Sequence, residues 1–221
     1  MRQRWDVSVR EAVEIQRRLR DRLVPHPPPH FRPRRIAGAD ISVEVGGHRA
    51  WAAVVVLDAD SLATVDEATA ETRLAFPYVP GLLTFRELPP IAEAWARLER
   101  KPDLLIFDGA GYAHPRRFGL ACHGGVLLEV PSIGCAKSIL VGTHRPLARR
   151  RGATAPLMDR GEVVGMALRL REGVAPVYVS IGHLMDLETA VRLVEHVGRG
   201  FRLPETTRRA HALVNRLRLE A

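Results

Sequence analysis

The chain has 221 residues, 46% of them hydrophobic and 26% charged, and its mean hydropathy is −0.07. This balance is typical of a globular protein and excludes a disordered chain. No apolar run approaches the roughly 20 residues of a membrane helix, and the charged N-terminus lacks the apolar centre of a signal peptide. Cys122 and Cys135 are too few for a disulfide framework, so we expect buried free thiols in a cytoplasmic protein.

The net charge of +8 and the isoelectric point of about 10.6 favour a polyanionic partner, most often a nucleic acid. Residues 36–108 nevertheless carry more acidic than basic side chains, whereas both flanking regions are basic. Metal-binding carboxylates that face a phosphate backbone produce such an acidic centre, and scattered surface charge is the alternative. Among the 33 basic side chains only Lys101 and Lys137 are lysines.

The first half of the chain predicts one amphipathic helix, a rigid linker, three strands and a second helix. The helix covers residues 7–24, and the proline-rich segment after it cannot extend it. The predicted strands cover residues 35–43, 50–58 and 62–70, the first two forming a hairpin around Gly46-Gly47. A helix is predicted over residues 84–100, with Pro89-Pro90 allowed only near its first turn.

The second half of the chain alternates strands and helices. The apolar run at 103–108 predicts a central strand buried on both faces, followed by a glycine-rich turn and a helix at 116–128. Further strands are predicted at 132–137, 163–170 and 176–180, and terminal helices at 186–197 and 206–219 with Asp186 and Thr206 as N-caps. The pattern predicts a single α/β domain over residues 1–221, with an N-terminal helix and linker at 1–34 and a core of a mixed sheet flanked by helices at 35–221.

Two aspartates sit where strands are predicted to meet. Asp40 lies within the first core strand, and Asp108 ends the buried central run. If the two strands are neighbours, both carboxylates project at one sheet edge, where Mg²⁺ is a suitable partner for buried negative charge. The alternative is that Asp108 opens a turn and Asp40 is a surface residue. Glu87 either adds a third carboxylate or favours the N-terminus of its helix.

Six segments, taken in their order and spacing, resemble the endonuclease V family. They are AGADIS (37–42), FPYVPGLLTFRELP (76–89), DGAGYAHPRRFGLACH (108–123), PSIGCAKSILVG (131–142), PVYVSIGH (176–183) and LPETTRRAH (203–211). The resemblance covers about residues 35–215. It implies an RNase H-like fold centred on a mixed five-stranded sheet.

The resemblance also implies an activity. The expected protein is a monomeric DNA repair endonuclease that needs Mg²⁺, for which Mn²⁺ substitutes. It nicks damaged DNA at the second phosphodiester bond 3′ to deoxyinosine and leaves a 3′-hydroxyl and a 5′-phosphate. The alternatives are an endoribonuclease for inosine-containing RNA and a nucleic-acid-binding protein that does not cleave.

By the same resemblance, Asp40, Asp108 and Glu87 take metal-ligand positions, and the catalytic set adds Lys137 and His211. Tyr78 matches a strand-separating wedge, and its neighbouring prolines stiffen the loop. Glycines allow backbone groups to approach the edge of a flipped base, although each is also explained by a tight turn. The residues expected to contact DNA or the lesion are Pro77, Tyr78, Pro80, Gly81, Arg86, Gly109, Gly111, His114, Arg116 and Gly134.

Two positions depart from the family pattern. Ala110 stands where the family usually has glutamine, and Ile181 stands where it usually has proline. Neither departure removes an expected metal ligand. They bear on substrate preference and rate more than on the class of reaction.

Overall fold

The computed structural model describes residues 3–221, which form one eight-stranded sheet with helices on its two faces. The strands are β1 (Arg35–Val43), β2 (Arg49–Asp58), β3 (Thr64–Arg73), β4 (Leu104–Phe107), β5 (Ser132–Ala136), β6 (Thr154–Asp159), β7 (Glu162–Leu168) and β8 (Val177–Ile181). The helices are α1 (Val9–Arg20), α2 (Leu83–Arg97), α3 (Leu120–Leu128), α4 (Leu187–His196) and α5 (Glu205–Glu220).

The order of the strands across the sheet is β3-β2-β1-β4-β5-β8-β7-β6. The pairs β1–β4 and β4–β5 are parallel, and the other pairs are antiparallel. The prediction of a mixed sheet flanked by helices is therefore confirmed. The prediction of a five-stranded centre is incomplete, because β8, β7 and β6 continue the same sheet beyond β5.

A separate hydrophobic core covers each face of the sheet. On one face, strand residues such as Ile36 and Val55 pack against α4 and α5. On the other, residues such as Ala37 and Val54 pack against α2 and α3. Alternate residues of β1 and β2 thus point into different cores, as the two-residue repeat of a strand requires. β4 is buried throughout, in agreement with its uninterrupted apolar sequence.

The parallel register of β1 and β4 aligns the two aspartates. Ala39 lies opposite Phe107, so Asp40 and Asp108 are the next residues of two adjacent strands that run in the same direction. A one-residue change in this register would turn one carboxylate away from the other. The buried sequences of the two strands therefore fix the position of both acids.

Several predicted boundaries are wrong for identifiable physical reasons. Pro89 and Pro90 lie in the interior of α2, not in its first turn. They remove two backbone donors, but the buried residues Leu88 and Ile91 hold the helix against the core. The segment 116–119 is a turn before α3, which begins at Leu120.

Strand β6 has no counterpart in the sequence prediction, and the N-cap of α5 is Pro204, not Thr206. Asp186 caps α4 as predicted, accepting a hydrogen bond from the Thr189 amide at 2.7 Å. Both cysteines are free and buried. None of the helices within residues 3–221 combines the length and the apolar character that crossing a membrane requires.

Candidate functional site

Three carboxylates from different elements converge where the parallel pairing of β1 and β4 ends. Asp40 belongs to β1, Asp108 follows β4, and Glu87 comes from α2, which packs over this part of the sheet. They are close enough for their charges to interact. The strand pattern predicted that the two aspartates meet if their strands are neighbours, and only the family resemblance placed Glu87 with them. The structure brings all three together.

The environment of these carboxylates opposes their ionisation. Burial, together with the charges of Asp40 and Asp108, raises the pKa of Glu87 to about 8. Burial and the charge of Asp108 also raise the pKa of Asp40, while His211 and Lys137 act in the opposite direction. Like charges gathered in a desolvated place destabilise one another unless a cation joins them. The cluster therefore has the donor chemistry of a divalent-cation site.

Each aspartate has a basic partner in the structure. The ammonium group of Lys137 forms an ion pair with Asp108, whose side chain is only 12% exposed. Arg202 donates a hydrogen bond to the Lys137 carbonyl at 2.5 Å, which fixes the chain just beyond β5. The second lysine, Lys101, lies between α2 and β4 and donates to backbone carbonyls at the end of α2.

His211 is part of a chain of hydrogen bonds that ends on Asp40. Ser42 Oγ donates to Asn215 Oδ1 at 3.3 Å, and Asn215 Nδ2 faces His211 Nε2 at 3.0 Å. Because the amide nitrogen is a donor, the ring proton lies on His211 Nδ1, which donates to Asp40 Oδ2 at 2.7 Å. Ser42 and Asn215 therefore orient the histidine that contacts the carboxylate.

No three histidine, cysteine, aspartate or glutamate side chains within residues 3–221 already surround a single metal position. The carboxylates of Asp40 and Asp108 are instead turned toward His211 and Lys137. The donor set thus fits a divalent cation in its chemistry.

A pocket is lined by residues that follow or precede the carboxylates closely in the chain. It has a volume of about 90 Å³. Its walls are the loop that carries Tyr78, the first turn of α2, and the side chains or backbone of Ala110, His114, Gly119, Leu120 and Leu140. Ala110 is two residues from Asp108, and Leu140 is three residues from Lys137. The Tyr78 side chain is 70% exposed at the rim of the pocket. An exposed aromatic ring between Pro77 and Pro80 has the accessibility that a wedge needs.

His114 and Arg116 were predicted to contact the substrate. The structure buries His114 in the wall of the pocket, which it lines, and turns Arg116 toward α1. His114 is 2% exposed, and its Nε2 donates to the Gly81 carbonyl at 2.9 Å. Burial lowers the pKa of His114 to about 4, so the ring is neutral at pH 7. Arg116 donates to the same carbonyl at 2.6 Å and to Gln16 Oε1 at 2.6 Å. Both residues support the loop that carries Tyr78.

The four glycines proposed to line a base pocket have different environments. Only Gly81 lines the pocket, and its φ of +77° suits glycine. A Cβ on Gly111 would lie 2.0 Å from the Ile181 carbonyl, and one on Gly134 would lie 2.4 Å from the Gly111 nitrogen. These two glycines therefore allow the turn after Asp108 to pack on β5 and β8. A Cβ on Gly109 would meet only the Leu120 side chain, at 3.1 Å.

Arg86, predicted to contact the substrate, instead donates a hydrogen bond to the Phe76 carbonyl at 3.0 Å, at the start of the loop that carries Tyr78.

Sequence reasoning missed Gln16, Ser42 and Asn215. A signal existed for two of them. Gln16 interrupts the apolar face that Ala12 and Leu19 define, and Asn215 follows His211 by four residues, which places them on one face of a helix.

Comparisons with known proteins identify the family of this chain. A family model described as Endonuclease V matches residues 17–212. Endonuclease V of Myxococcus xanthus is 65% identical over 215 residues, which cover 97% of this chain and 92% of that protein. The crystal structure of endonuclease V from Streptomyces avermitilis has a TM-score of 0.90 and 44% identity, and the match covers 98% of this chain and 95% of the other.

A third relative was solved with a nucleic acid. Endonuclease V of Ciona intestinalis, in complex with a 24mer DNA containing an inosine followed by a ribo-adenosine, has a TM-score of 0.82 and 26% identity. The match covers 96% of this chain and 98% of that chain.

The mixed sheet flanked by helices and its match to solved endonuclease V structures define an RNase H-like α/β fold, with acids at neighbouring positions of two adjacent parallel strands. Within this fold class, the family match and the identity to curated relatives decide the assignment. The chain belongs to the endonuclease V family and is an endonuclease. The alternative of a binding protein that does not cleave is therefore set aside.

Proposed function

We propose that this endonuclease is a Mg²⁺-dependent DNA repair enzyme that cleaves the second phosphodiester bond 3′ to deoxyinosine. The observation that carries the proposal is the cluster of Asp40, Glu87 and Asp108 with Lys137, together with a pocket that Tyr78 borders and that residues two to three positions from these side chains line. The cluster supplies the chemistry of phosphodiester hydrolysis, and the pocket supplies a place for a base. The inosine in the DNA of the Ciona intestinalis complex supports the choice of lesion.

The carboxylates of Asp40, Asp108 and Glu87 would hold the divalent cation. When bound, such a cation stabilises charge on the phosphoryl group and lowers the pKa of water, which makes water a better nucleophile. Mn²⁺ accepts the same oxygen ligands and is expected to substitute. Ionisation of the three acids becomes favourable once a cation balances their charges.

The chain's own side chains position the reactants. Hydrolysis forms a bond from a water oxygen to phosphorus and breaks the bond from phosphorus to the 3′-oxygen, leaving a 3′-hydroxyl and a 5′-phosphate. The water loses one proton, and the 3′-oxygen gains one. The Lys137 ammonium, beside Asp108 and 38% exposed, is placed to contact a phosphate oxygen. His211 holds Asp40 in one orientation through Nδ1.

The exposed ring of Tyr78 is proposed to enter the base stack next to the lesion. Insertion of a side chain between bases costs a few kcal/mol of stacking, and an inosine mispair is easier to open than a matched pair. The pocket beside Tyr78 then receives the displaced base. The prolines at positions 77 and 80 restrict the loop and reduce the entropy lost on insertion.

Inosine-containing RNA is the alternative substrate, and one observation favours testing it. The DNA strand of the Ciona intestinalis complex carries a ribonucleotide directly after the inosine. A 2′-hydroxyl is the group that distinguishes RNA from DNA at one position. We retain DNA as the proposal and a monomeric, cytoplasmic enzyme as its setting, with which the two buried free thiols agree.

The test is a gel assay on labelled duplexes that carry one central deoxyinosine, with Mg²⁺, with Mn²⁺ and with EDTA. We expect a single nick one nucleotide beyond the lesion on its 3′ side, present with either cation and absent with EDTA. The matching RNA strand is assayed beside it. Faster cleavage of the RNA would replace the DNA proposal with the alternative, and cleavage in EDTA would contradict the role of the carboxylates.

Asp108→Asn is the variant that tests the site, because it keeps the shape of the side chain and removes its charge. We expect cleavage to fall by at least about a hundredfold, since several kcal/mol of transition-state stabilisation depend on the cation. Glu99→Gln is the matched control, an exposed acid at the end of α2. Equal activity of the two variants would contradict the assignment.

A further inference from the structure

Helix α1 reaches the pocket loop through one wholly buried amide. The buried face of α1 consists of Ala12, Gln16 and Leu19, and Gln16 is 0% exposed. A buried amide costs free energy unless both of its ends form hydrogen bonds. Gln16 Nε2 donates to the Gly81 carbonyl at 3.1 Å and to the Phe118 carbonyl at 3.2 Å. Gln16 Oε1 accepts from Arg116 Nε at 2.6 Å.

The Gly81 carbonyl is the point where three segments of the chain meet. It accepts hydrogen bonds from Gln16, from His114 at 2.9 Å and from Arg116 at 2.6 Å. The Arg116 backbone amide donates to His114 Nδ1 at 3.1 Å, so the ring proton lies on Nε2 and is directed at Gly81. Gln16, His114 and Arg116 thereby hold one another in place around the Gly81 carbonyl. Their hydrogen bonds do not include the carboxylates of the cluster.

The same carbonyl ends the loop of residues 77–81, at the turn that leads into α2. Gly81 has a left-handed backbone with φ of +77°, and the Leu82 amide donates to the Val79 carbonyl at 2.9 Å. Tyr78 lies three residues before Gly81 and is exposed. The position of its ring therefore depends on what holds the closing turn of the loop.

Apolar contacts from α1 reach the same loop. Ala12 packs with Phe76, Leu82 and Phe85, and Val79 lies against this cluster. The loop is thus held from its base by α1, while its tip stays free. This arrangement suits an element that must keep its shape when it enters a nucleic acid.

We infer that Gln16 is a positioning residue for the Tyr78 loop, and that the N-terminal helix serves the endonuclease by fixing the wedge beside the pocket. The inference rests on the proposed function, in which Tyr78 separates the strands. In this role α1 acts through its buried face, which holds the Tyr78 loop, and not through its arginine-rich exposed face. Gln16 would act only through the loop, because it touches neither the pocket nor the carboxylates.

The experiment compares cleavage of a deoxyinosine duplex with cleavage of the same strand alone, for the wild type and for Gln16→Met. Methionine keeps the length and volume of glutamine but forms no comparable hydrogen bonds. We expect kcat/KM on the duplex to fall about tenfold, the effect of roughly one buried hydrogen bond, while cleavage of the single strand changes less than about twofold. A single strand has no partner to separate, so only the duplex requires the wedge.

Leu19→Ala is the control for a merely structural effect. Leu19 lies on the same buried face but packs against Phe118, Cys122 and Val126, without a part in the hydrogen bonds to Gly81. We expect this variant to lower the activity on both substrates by the same factor. If Gln16→Met also lowers both by one factor, the inference is overturned and Gln16 serves only the stability of the fold.

A double-mutant cycle with Tyr78→Ala gives a second criterion. If Gln16 acts through the wedge, the variant that carries both substitutions cleaves the duplex no more slowly than Tyr78→Ala does. Losses that multiply would overturn the inference. A wild type that leaves the deoxyinosine duplex intact overturns the proposed function and this inference together, whereas an active wild type with multiplying losses overturns this inference alone.

Discussion

Asn215 shows how a residue outside the catalytic set can control one inside it. Its amide donates to His211 Nε2, so the ring presents Nδ1–H to Asp40. Ser42 fixes the amide from the other side. Without Asn215, only the Asp40 carboxylate itself still favours the proton on Nδ1, and the tautomer with the proton on Nε2, which cannot donate to Asp40, becomes more populated. The orientation of one acid in the cluster therefore depends on a neutral side chain one helical turn away.

We predict that Asn215→Leu lowers kcat about fivefold with little change in KM, the effect of roughly one net hydrogen bond on a group that orients a catalytic acid. Steady-state kinetics on the deoxyinosine duplex measures both constants. Nitrogen chemical shifts of the His211 ring then report the tautomer, which a purely structural effect would leave unchanged. Arg216→Leu is the control on the exposed side of α5. A rise in KM alone would contradict this role for Asn215.

At the scale of elements, the turn after β4 depends on close backbone packing. A Cβ on Gly134 would lie 2.4 Å from the Gly111 nitrogen and 2.6 Å from the Gly109 carbonyl oxygen. Backbone atoms cannot yield as a flexible side chain can, so Gly134→Ala must displace the turn that carries Asp108. We predict a loss of about 1–3 kcal/mol in the free energy of unfolding, measured by urea denaturation, and a large loss of cleavage.

Gly109→Ala is the comparison for this prediction. Its Cβ would meet only the Leu120 side chain, at 3.1 Å, and Gly109 is not among the glycines with positive φ. We expect it to cost clearly less stability than Gly134→Ala. Similar losses in the two variants would mean that glycine is needed in this turn for its flexibility and not for the approach of β5.

Local sequence patterns predicted most of the elements, and the errors fall where distant contacts decide the structure. Strand β6 alternates buried Ala155 and Leu157 with exposed residues, but Pro156 obscured the pattern, because proline is tolerated only at an edge such as this one. The turn at 116–119 follows from the contacts of Arg116 with Gln16 and Gly81, which no local periodicity reveals. The first turn of α5 starts before Thr206 because it packs on Gly38 of β1.

In the candidate site, too, local sequence patterns predicted some features and distant contacts decided the others. Asp40 and Asp108 could be placed together from the sequence on the condition that their two strands are neighbours, which the structure confirms. Glu87 could not, because its position depends on how α2 lies over the sheet. The inward direction of His114 was also hidden, since a buried, neutral histidine and an exposed one have the same sequence signature. Motif resemblance supplied these residues without their geometry.

At the scale of the whole molecule, the carboxylate cluster links stability to pH and to divalent cations. The pKa of Glu87 is about 8 in the folded protein, against its usual 4.5. Between these values the folded state holds a proton that the unfolded chain has released. The free energy of unfolding must therefore fall as the pH rises toward 8.

Other groups limit the range in which this effect can be isolated. Burial lowers the pKa of His114 to about 4 and that of His123 to about 3, so these groups make stability rise with pH up to about 6.5. Hydrogen bonds and ion pairs lower the pKa of some carboxylates, such as Glu11 and Glu205. These groups change the free energy of unfolding only at acidic pH. Burial raises the pKa of both thiols, so they make the free energy of unfolding fall with pH only above about pH 9. Between about pH 7 and 8.5 the carboxylate cluster therefore dominates the pH dependence of the free energy of unfolding.

We predict that in EDTA the melting temperature falls between about pH 7 and 8.5, and that millimolar Mg²⁺ removes most of this fall because the cation replaces the proton. Each kcal/mol recovered raises the melting temperature of a domain of this size by roughly 2–4 °C. Glu87→Gln should flatten the curve in EDTA and reduce the stabilisation by Mg²⁺, whereas Glu99→Gln should leave both unchanged. Melting curves followed by circular dichroism decide the matter. A slope that persists in Glu87→Gln would show that another group, and not the cluster, couples the fold to pH.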